Sequence, residues 1–343
     1  MNIFEIMNKY SNVNFSTRHD GQYGIEIETE TLDSYDVPKF KFWKVDRDNS
    51  LRNFGVEYIL KAPVSYEEVP IALKEWKNFS SKVKFIPDSH STSVHVHINF
   101  LNEKFLTMAN FFATWALIEN VMIKFSGPTR LSNLFCLPII DAEGVMDTLC
   151  AIVKSVDTKS YKRISVRSDE VKYGAINPGP FTTLGSIEIR CFRGEMDTDI
   201  QYQWVTMLEK ILQYCRTSGL TPDKICDTFK SRGPRIIDDI FGFELARVLK
   251  GNIAPSELNA MLLSNIKYSA KIAVQSKNWD KFGVILVKKV YKEHLKDDLN
   301  VLASKLSSNA SYDDLSYSMQ MVVQEMYYKN NPSTVIVEVE EDL

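Results

Sequence analysis

Residues 94–99 read Val-His-Val-His-Ile-Asn, and this stretch decides the fold. Its β-branched residues alternate with imidazoles, and side chains two apart on a strand share a face. His95 and His97 therefore stand on one side of a sheet, with Val94, Val96 and Ile98 filling a core on the other. Two more segments repeat the pattern: Gly24-Ile25-Glu26-Ile27-Glu28 and Ile187-Glu188-Ile189-Arg190. A fourth, Gly55-Val56-Glu57-Tyr58-Ile59, points Glu57 away from Val56 and Tyr58. Just before it, Asp48-Asn49-Ser50 has turn chemistry and links two strands. One wet face and one buried face on each strand is the mark of an antiparallel sheet. The expectation is an α+β fold built on a mainly antiparallel sheet.

Taken singly, each pair also fits a strand that merely has a solvated side. Glu338-Val339-Glu340 is such a pair, in a stretch expected to be solvated. Two hydrogen-bonded imidazoles on a half-buried strand would equally explain His95 and His97. Three strands doing the same thing favour chemistry. Carboxylates two residues apart on a strand lie about 7 Å from one another and repel by about 2 kcal/mol at an effective dielectric of about 20. Several acids converging with two imidazoles call for a cation. Carboxylate oxygens suit Mg²⁺ or Mn²⁺, and imidazole nitrogen makes Mn²⁺ or Zn²⁺ competitive. Arg190 among these acids is either their ion-pair partner or a ligand for an anion held by the same metals.

Helical patterns surround the strands. Ser65-Tyr66-Glu67-Glu68 has the form of a capping box and starts a helix running to about residue 80. A longer, mostly apolar helix spans 102–125 and stops at Gly127-Pro128; a third, 198–216, follows the Ile187–Arg190 strand. Thr221-Pro222 opens a helix and Lys250-Gly251 ends one. Further helices are expected from Pro255 to about 273, over 278–307 and over 311–329. The chain of 343 residues thus divides into a catalytic α+β domain, 1–215, and a mainly helical region, 216–343.

Composition bounds the function classes. With 44% hydrophobic and 25% charged residues the chain is globular rather than disordered. Its 41 basic and 44 acidic residues, net −3, provide no chain-wide basic excess for nucleic acid or anionic lipid. Five cysteines without a Cys-x-x-Cys pair indicate neither a disulfide framework nor a zinc ribbon. The polar N-terminal stretch lacks signal-peptide order, and the apolar run Phe111–Phe125 is short for a bilayer span, so a cytoplasmic protein without membrane contact is expected. Neither Gly-x-Gly-x-x-Gly nor a P-loop is present.

The order of the segments resembles a known family. GIEIE at 24–28, WKVDRDNSL at 43–51, VEYILKAP at 56–63, VHVHIN at 94–99, Tyr173-Gly174-Ala175-Ile176-Asn177 and SIEIRCFRGEMD at 186–197 are similar, as an ordered set, to the amidoligases. These are carboxylate–amine ligases of the glutamine synthetase superfamily. The proline after Glu57 comes later than in the family's usual form, and only Lys172, Arg163 and Arg167 stand near the Tyr-x-x-x-Asn element.

The resemblance implies a curved, mainly antiparallel sheet of glutamine synthetase-like type that binds ATP with two or three Mg²⁺ or Mn²⁺ ions. It makes Glu26, Glu28, Glu57, His95 and Glu188 the metal ligands. His97 then contacts nucleotide phosphate, Arg190 the transferred phosphoryl group, and Arg193 and Asn177 phosphate or substrate. Arg190, Glu188 and Glu57 form the catalytic set. The implied reaction joins a carboxylate and an amine through an acyl phosphate, the partners being small molecules, peptides or proteins. No Ser or Cys nucleophile is needed, in keeping with the missing Gly-x-Ser-x-Gly elbow. Two other readings use the same residues: a metal-dependent hydrolase that activates water, and a non-catalytic interaction protein that keeps the sheet. The sequence leaves the oligomeric state open.

Overall fold

Alternation in the sequence becomes a six-stranded sheet in the computed structural model, which describes residues 2–10, 21–157, 171–251 and 253–276, with isolated residues between 300 and 323. The expected helices over 278–307 and 311–329, the pair at Glu338 and Glu340, and Arg163 and Arg167 lie outside the described residues. The strands are β1 (Tyr23–Thr29), β2 (Trp43–Asp46), β3 (Val56–Leu60), β4 (Ser93–Asn99), β5 (Ile176–Asn177) and β6 (Ser186–Arg193). Their order across the sheet is β2-β3-β1-β4-β6-β5, and each neighbouring pair is antiparallel.

One face of this sheet is apolar. Tyr23, Ile25, Ile27, Trp43, Tyr58, Val94, Val96, Ile98, Ile187, Ile189 and Phe192 are all buried. After helix α1 (Ile3–Tyr10), helix α2 (Val69–Ser80) covers the β2–β3 side, where Trp43 donates its indole N–H to Ala72 O at 3.0 Å and Tyr58 packs on Trp76. The capping signal at Ser65 starts a short 3₁₀ turn, Tyr66–Glu68, that leads into α2. Glu68 accepts from the Ser65 N–H, and Pro70 sits in the first turn, where its missing N–H costs nothing.

Helix α3 (Phe105–Phe125) begins three residues later than the pattern suggested. The chain first makes a turn in which Glu103 N–H bonds Phe100 O. At 21 residues it is long and apolar enough to cross a membrane, which corrects the length argument based on Phe111–Phe125. Its most apolar window is 89% buried within the protein, as the core helix of a globular fold would be. The described chain continues with α4 (Glu143–Asp157), the short α5 (Phe181–Leu184) and α6 (Thr198–Thr217). Trp204 of α6 stacks on Phe192 of β6 at 4.6 Å, so α6 covers the β6 side of the sheet. The stretch from Thr221 to Lys250 divides at Gly233-Pro234 into α7 (Pro222–Arg232) and α8 (Ile236–Lys250). These helices and α9 (Pro255–Ala273) extend the same buried hydrophobic cluster, with α9 lying along α3.

Glu119 is a buried acid in this helical layer. It is buried on α3, accepting from Trp115 Nε1 at 3.1 Å and from Ile139 N at 2.6 Å. Burial outweighs these two bonds and pushes its pKa from 4.5 up to about 7. The folded protein therefore keeps, between those values, a proton that the unfolded chain has lost. Stability is greatest below the unfolded value and declines as pH rises through the folded one, by about 3 kcal/mol in total. Thermal melts from pH 5 to 8 should show a falling midpoint in the wild type and a shallower fall in Glu119→Gln. Identical slopes would show that Glu119 folds in its charged form.

Candidate functional site

The opposite face of the sheet is polar, and the strand register assembles it. Glu26 of β1 lies across from His95 of β4, and Glu28 across from Glu57 of β3. His97 lies across from Gly24 on one side and Glu188 on the other. Asn177 pairs with Glu188, and Asp46 with Glu57. Gly24 leaves room for the imidazole, since a Cβ there would meet His97 Cβ at 3.2 Å and press on it.

The side chains interlock. His95 is buried, with Nδ1 at 3.2 Å from both Glu26 Oε2 and Glu188 Oε1, and Nε2 at 2.6 Å from Ser93 Oγ. Ser93 also donates to Glu28. His97 Nε2 lies 3.1 Å from Glu26 Oε1, and its Nδ1 faces Ser186 Oγ at 3.4 Å. Arg190 bonds Glu188 through Nη1, and its Nε has no partner among the described residues.

Three groups of side chains bring ligand atoms within 4.8 Å of one another: Glu26, Glu57 and His95; Glu26, His97 and Glu188; and Glu28, Asp48 and Glu57. Carboxylate oxygens mixed with imidazole nitrogens suit Mg²⁺, Mn²⁺ or Zn²⁺. All five residues expected as metal ligands thus fall in these groups, and two others join them. His97, expected beside nucleotide phosphate, stands among the ligand atoms. Asp48, read from sequence as a turn residue, reaches the group of Glu28 and Glu57.

Electrostatics follow from this crowding. Burial raises the pKa of Glu57, and the negative charges of Glu26 and Glu28 add to it, bringing it to about 9. Burial also opposes charge on Glu26, but the His97 charge and bonds from both imidazoles hold it well below the usual range. Conversely, burial disfavours protonated His97, and the Glu26 carboxylate still lifts it to about 9. Burial acts against charge on Glu188 as well, and Arg190 with the two imidazoles lowers it overall. His97 and Arg190 therefore already balance part of the acidic charge that the sequence alone left to metal ions.

Two expected anion contacts are engaged within the protein. Arg193 forms a fork with Glu195, its Nε and Nη2 at 3.1 and 2.7 Å from Oε2. Asn177 donates to Glu188 Oε2 at 2.7 Å and accepts from Gly179 N–H, so it orients that carboxylate. Ser93 and Arg130 were missed. Ser93 lies two residues before His95 on β4 and shares its face, so alternation alone could have found it. Arg130 has no local sequence signal. Beside Glu26 and His97 opens a cleft of about 310 Å³, walled by Ile59, Leu60, Pro63 and Leu184, with Lys44 and Asn99 among its polar groups. That size is at the lower end of small-molecule sites. Only the folded sheet brings these walls together.

Compared with protein-family models and with curated proteins, the sequence matches none.

Because Glu26 contributes to two of the three ligand groups and Asp48 to one, their removal should differ. Titration with Mn²⁺, read by electron paramagnetic resonance, should show Glu26→Ala losing more bound metal than Asp48→Ala. Equal, undiminished binding in both variants would exclude these groups as metal sites.

Proposed function

We propose that this protein is an ATP-dependent carboxylate–amine ligase on a glutamine synthetase-like sheet. The observation that carries the reading is the set of three overlapping ligand groups beside Arg190, whose buried Nε is unengaged among the described residues. Divalent ions held by Glu26, Glu28, Asp48, Glu57, His95, His97 and Glu188 would supply positive charge to the ATP phosphates. Phosphoryl transfer spreads negative charge over the transferring oxygens, and a guanidinium fixed at that position stabilises it. Arg190 has this role. Glu188 and Asn177 hold its geometry, Glu188 by direct pairing and Asn177 by fixing Glu188.

In the first step a substrate carboxylate oxygen bonds to the γ-phosphorus, the bond to the β-phosphate oxygen breaks, and ADP leaves. The amine nitrogen then bonds to the acyl carbon, inorganic phosphate departs with the former carboxylate oxygen, and the nitrogen loses a proton. The cleft beside Glu26 and His97 has space for part of either substrate. The attacking groups belong to the substrates, so the five cysteines, all buried, have no part in the reaction.

Incubation with MgATP and a panel of carboxylates and amines should yield ADP, together with a product one water lighter than the sum of its parts by mass spectrometry. Glu188→Ala should stay folded and lose at least about 100-fold in ADP formation, as expected when a group that organises the charged transition state is removed. Unchanged ADP formation by the folded variant would refute the site. Cleavage of an amide or ester by water, dependent on divalent metal and not on ATP, would identify a hydrolase instead.

A further inference from the structure

Strand β6 is not regular. Val96 pairs with Ile189 and Val94 with Phe192, so three steps on β6 match two on β4, and a bulge falls at Arg190–Cys191. The consequence is visible in the burial pattern: Cys191 and Phe192 both enter the core, while Arg190 and Arg193 remain only partly buried. A bulge leaves backbone groups without ladder partners. Arg190 N–H finds Ala175 O at 2.9 Å. Its carbonyl is taken by Arg130, whose Nη2 lies at 3.2 Å, while Arg130 Nη1 reaches Thr92 O, just before β4, at 3.1 Å.

Arg130 is an unusual side chain to find there. It is 1% exposed, and among the described residues no carboxylate pairs with it. A buried guanidinium without a counter-ion is a costly way to fill space. What it supplies, and an apolar residue of similar size cannot, is a pair of charge-assisted bonds to the carbonyls on either side of the bulge. The turn that carries it, Pro128–Arg130, is anchored independently, with Thr129 Oγ1 on Asp88 and Asn133 Nδ2 on the carbonyls of Thr129 and His90.

We propose that Arg130 is a positioning residue: by gripping Thr92 O and Arg190 O across the β4–β6 bulge, it fixes the backbone from which the Arg190 guanidinium reaches the candidate site. The effect on nucleotide binding rests on the ligase reading above; the effect on the bulge does not. The test compares Arg130→Met, Arg130→Lys and Arg190→Lys in the full chain. In Arg130→Met, amide hydrogen exchange at residues 190–193 should accelerate, the Arg190 Nε–H resonance should shift, and MgATP affinity should fall about ten-fold, as in Arg190→Lys. Binding of Mn²⁺ alone should fall much less than MgATP affinity, because Arg190 is not itself in a ligand group and meets them only through Glu188. Arg130→Lys, which can hold only one carbonyl firmly, should be intermediate, and it carries the test if the Met variant does not fold.

Wild-type exchange and an unshifted Arg190 resonance in a folded variant would overturn the proposal. So would loss of Mn²⁺ binding in parallel with MgATP, or unchanged MgATP affinity where Arg190→Lys loses it. Failure of the wild type to bind MgATP would remove the ligase reading, and the exchange rates and the Arg190 resonance would then decide the role of Arg130 by themselves.

Discussion

The pairing of β1 with β4, which sets Glu26 opposite His95 and Gly24 opposite His97, is the constraint on which the polar face depends. Side-chain direction on a strand has a period of two, so a slip of one residue would carry Glu26 and Glu28 into the core and bring Ile25 and Ile27 out. The apolar face prevents that slip. Tyr58, Trp76 and Phe79 form an aromatic cluster beneath β3, and Phe192 and Trp204 stack beneath β6. Burial on one side of the sheet thereby sets the placement of ionisable groups on the other.

Holding so many ionisable groups together has a cost, and the structure distributes it. Glu26 and His97 form one compensated pair, Glu188 and Arg190 another. Glu57 has no cation among the described residues within pairing distance, and it responds to burial and to its acidic neighbours with a strongly raised pKa. Ser93 ties Glu28 to His95 without adding charge. A face arranged in this way is not merely wet. Glu28, His95 and Glu188 are each below 5% exposed, so their interactions act at lower effective dielectric than those of surface groups.

The sequence was informative where chemistry follows local periodicity. Alternation placed Glu26, Glu28, His95, His97, Glu188 and Arg190 on one face, and the helix signals at Ser65, Gly127 and Pro222 mark real boundaries. It was silent where placement depends on contacts distant in the chain. Asp48 lies in a loop, and only the fold of β2 against β3 brings it to Glu28. The fork of Arg193 with Glu195 depends on the course of the chain after the bulge. That bulge was itself hidden, because Ile-Arg-Cys-Phe-Arg reads as a strand whichever residue is doubled. Arg130 follows the C-terminus of α3 and meets β4 and β6 only in three dimensions.

The three ligand groups are not independent. Glu26 belongs to two of them and uses different oxygens toward its two imidazoles, Oε2 to His95 and Oε1 to His97. Glu57 likewise joins two groups, one through Glu26 and His95, the other through Glu28 and Asp48. A cation in any one group changes the charge seen by the next through a shared carboxylate. An ion bound near Glu57 would favour its ionised form, because positive charge opposes the burial and the acidic neighbours that raise its pKa. The shared carboxylates therefore couple the three groups electrostatically, and the links run through the side chains that the β1–β4 and β1–β3 registers place opposite one another.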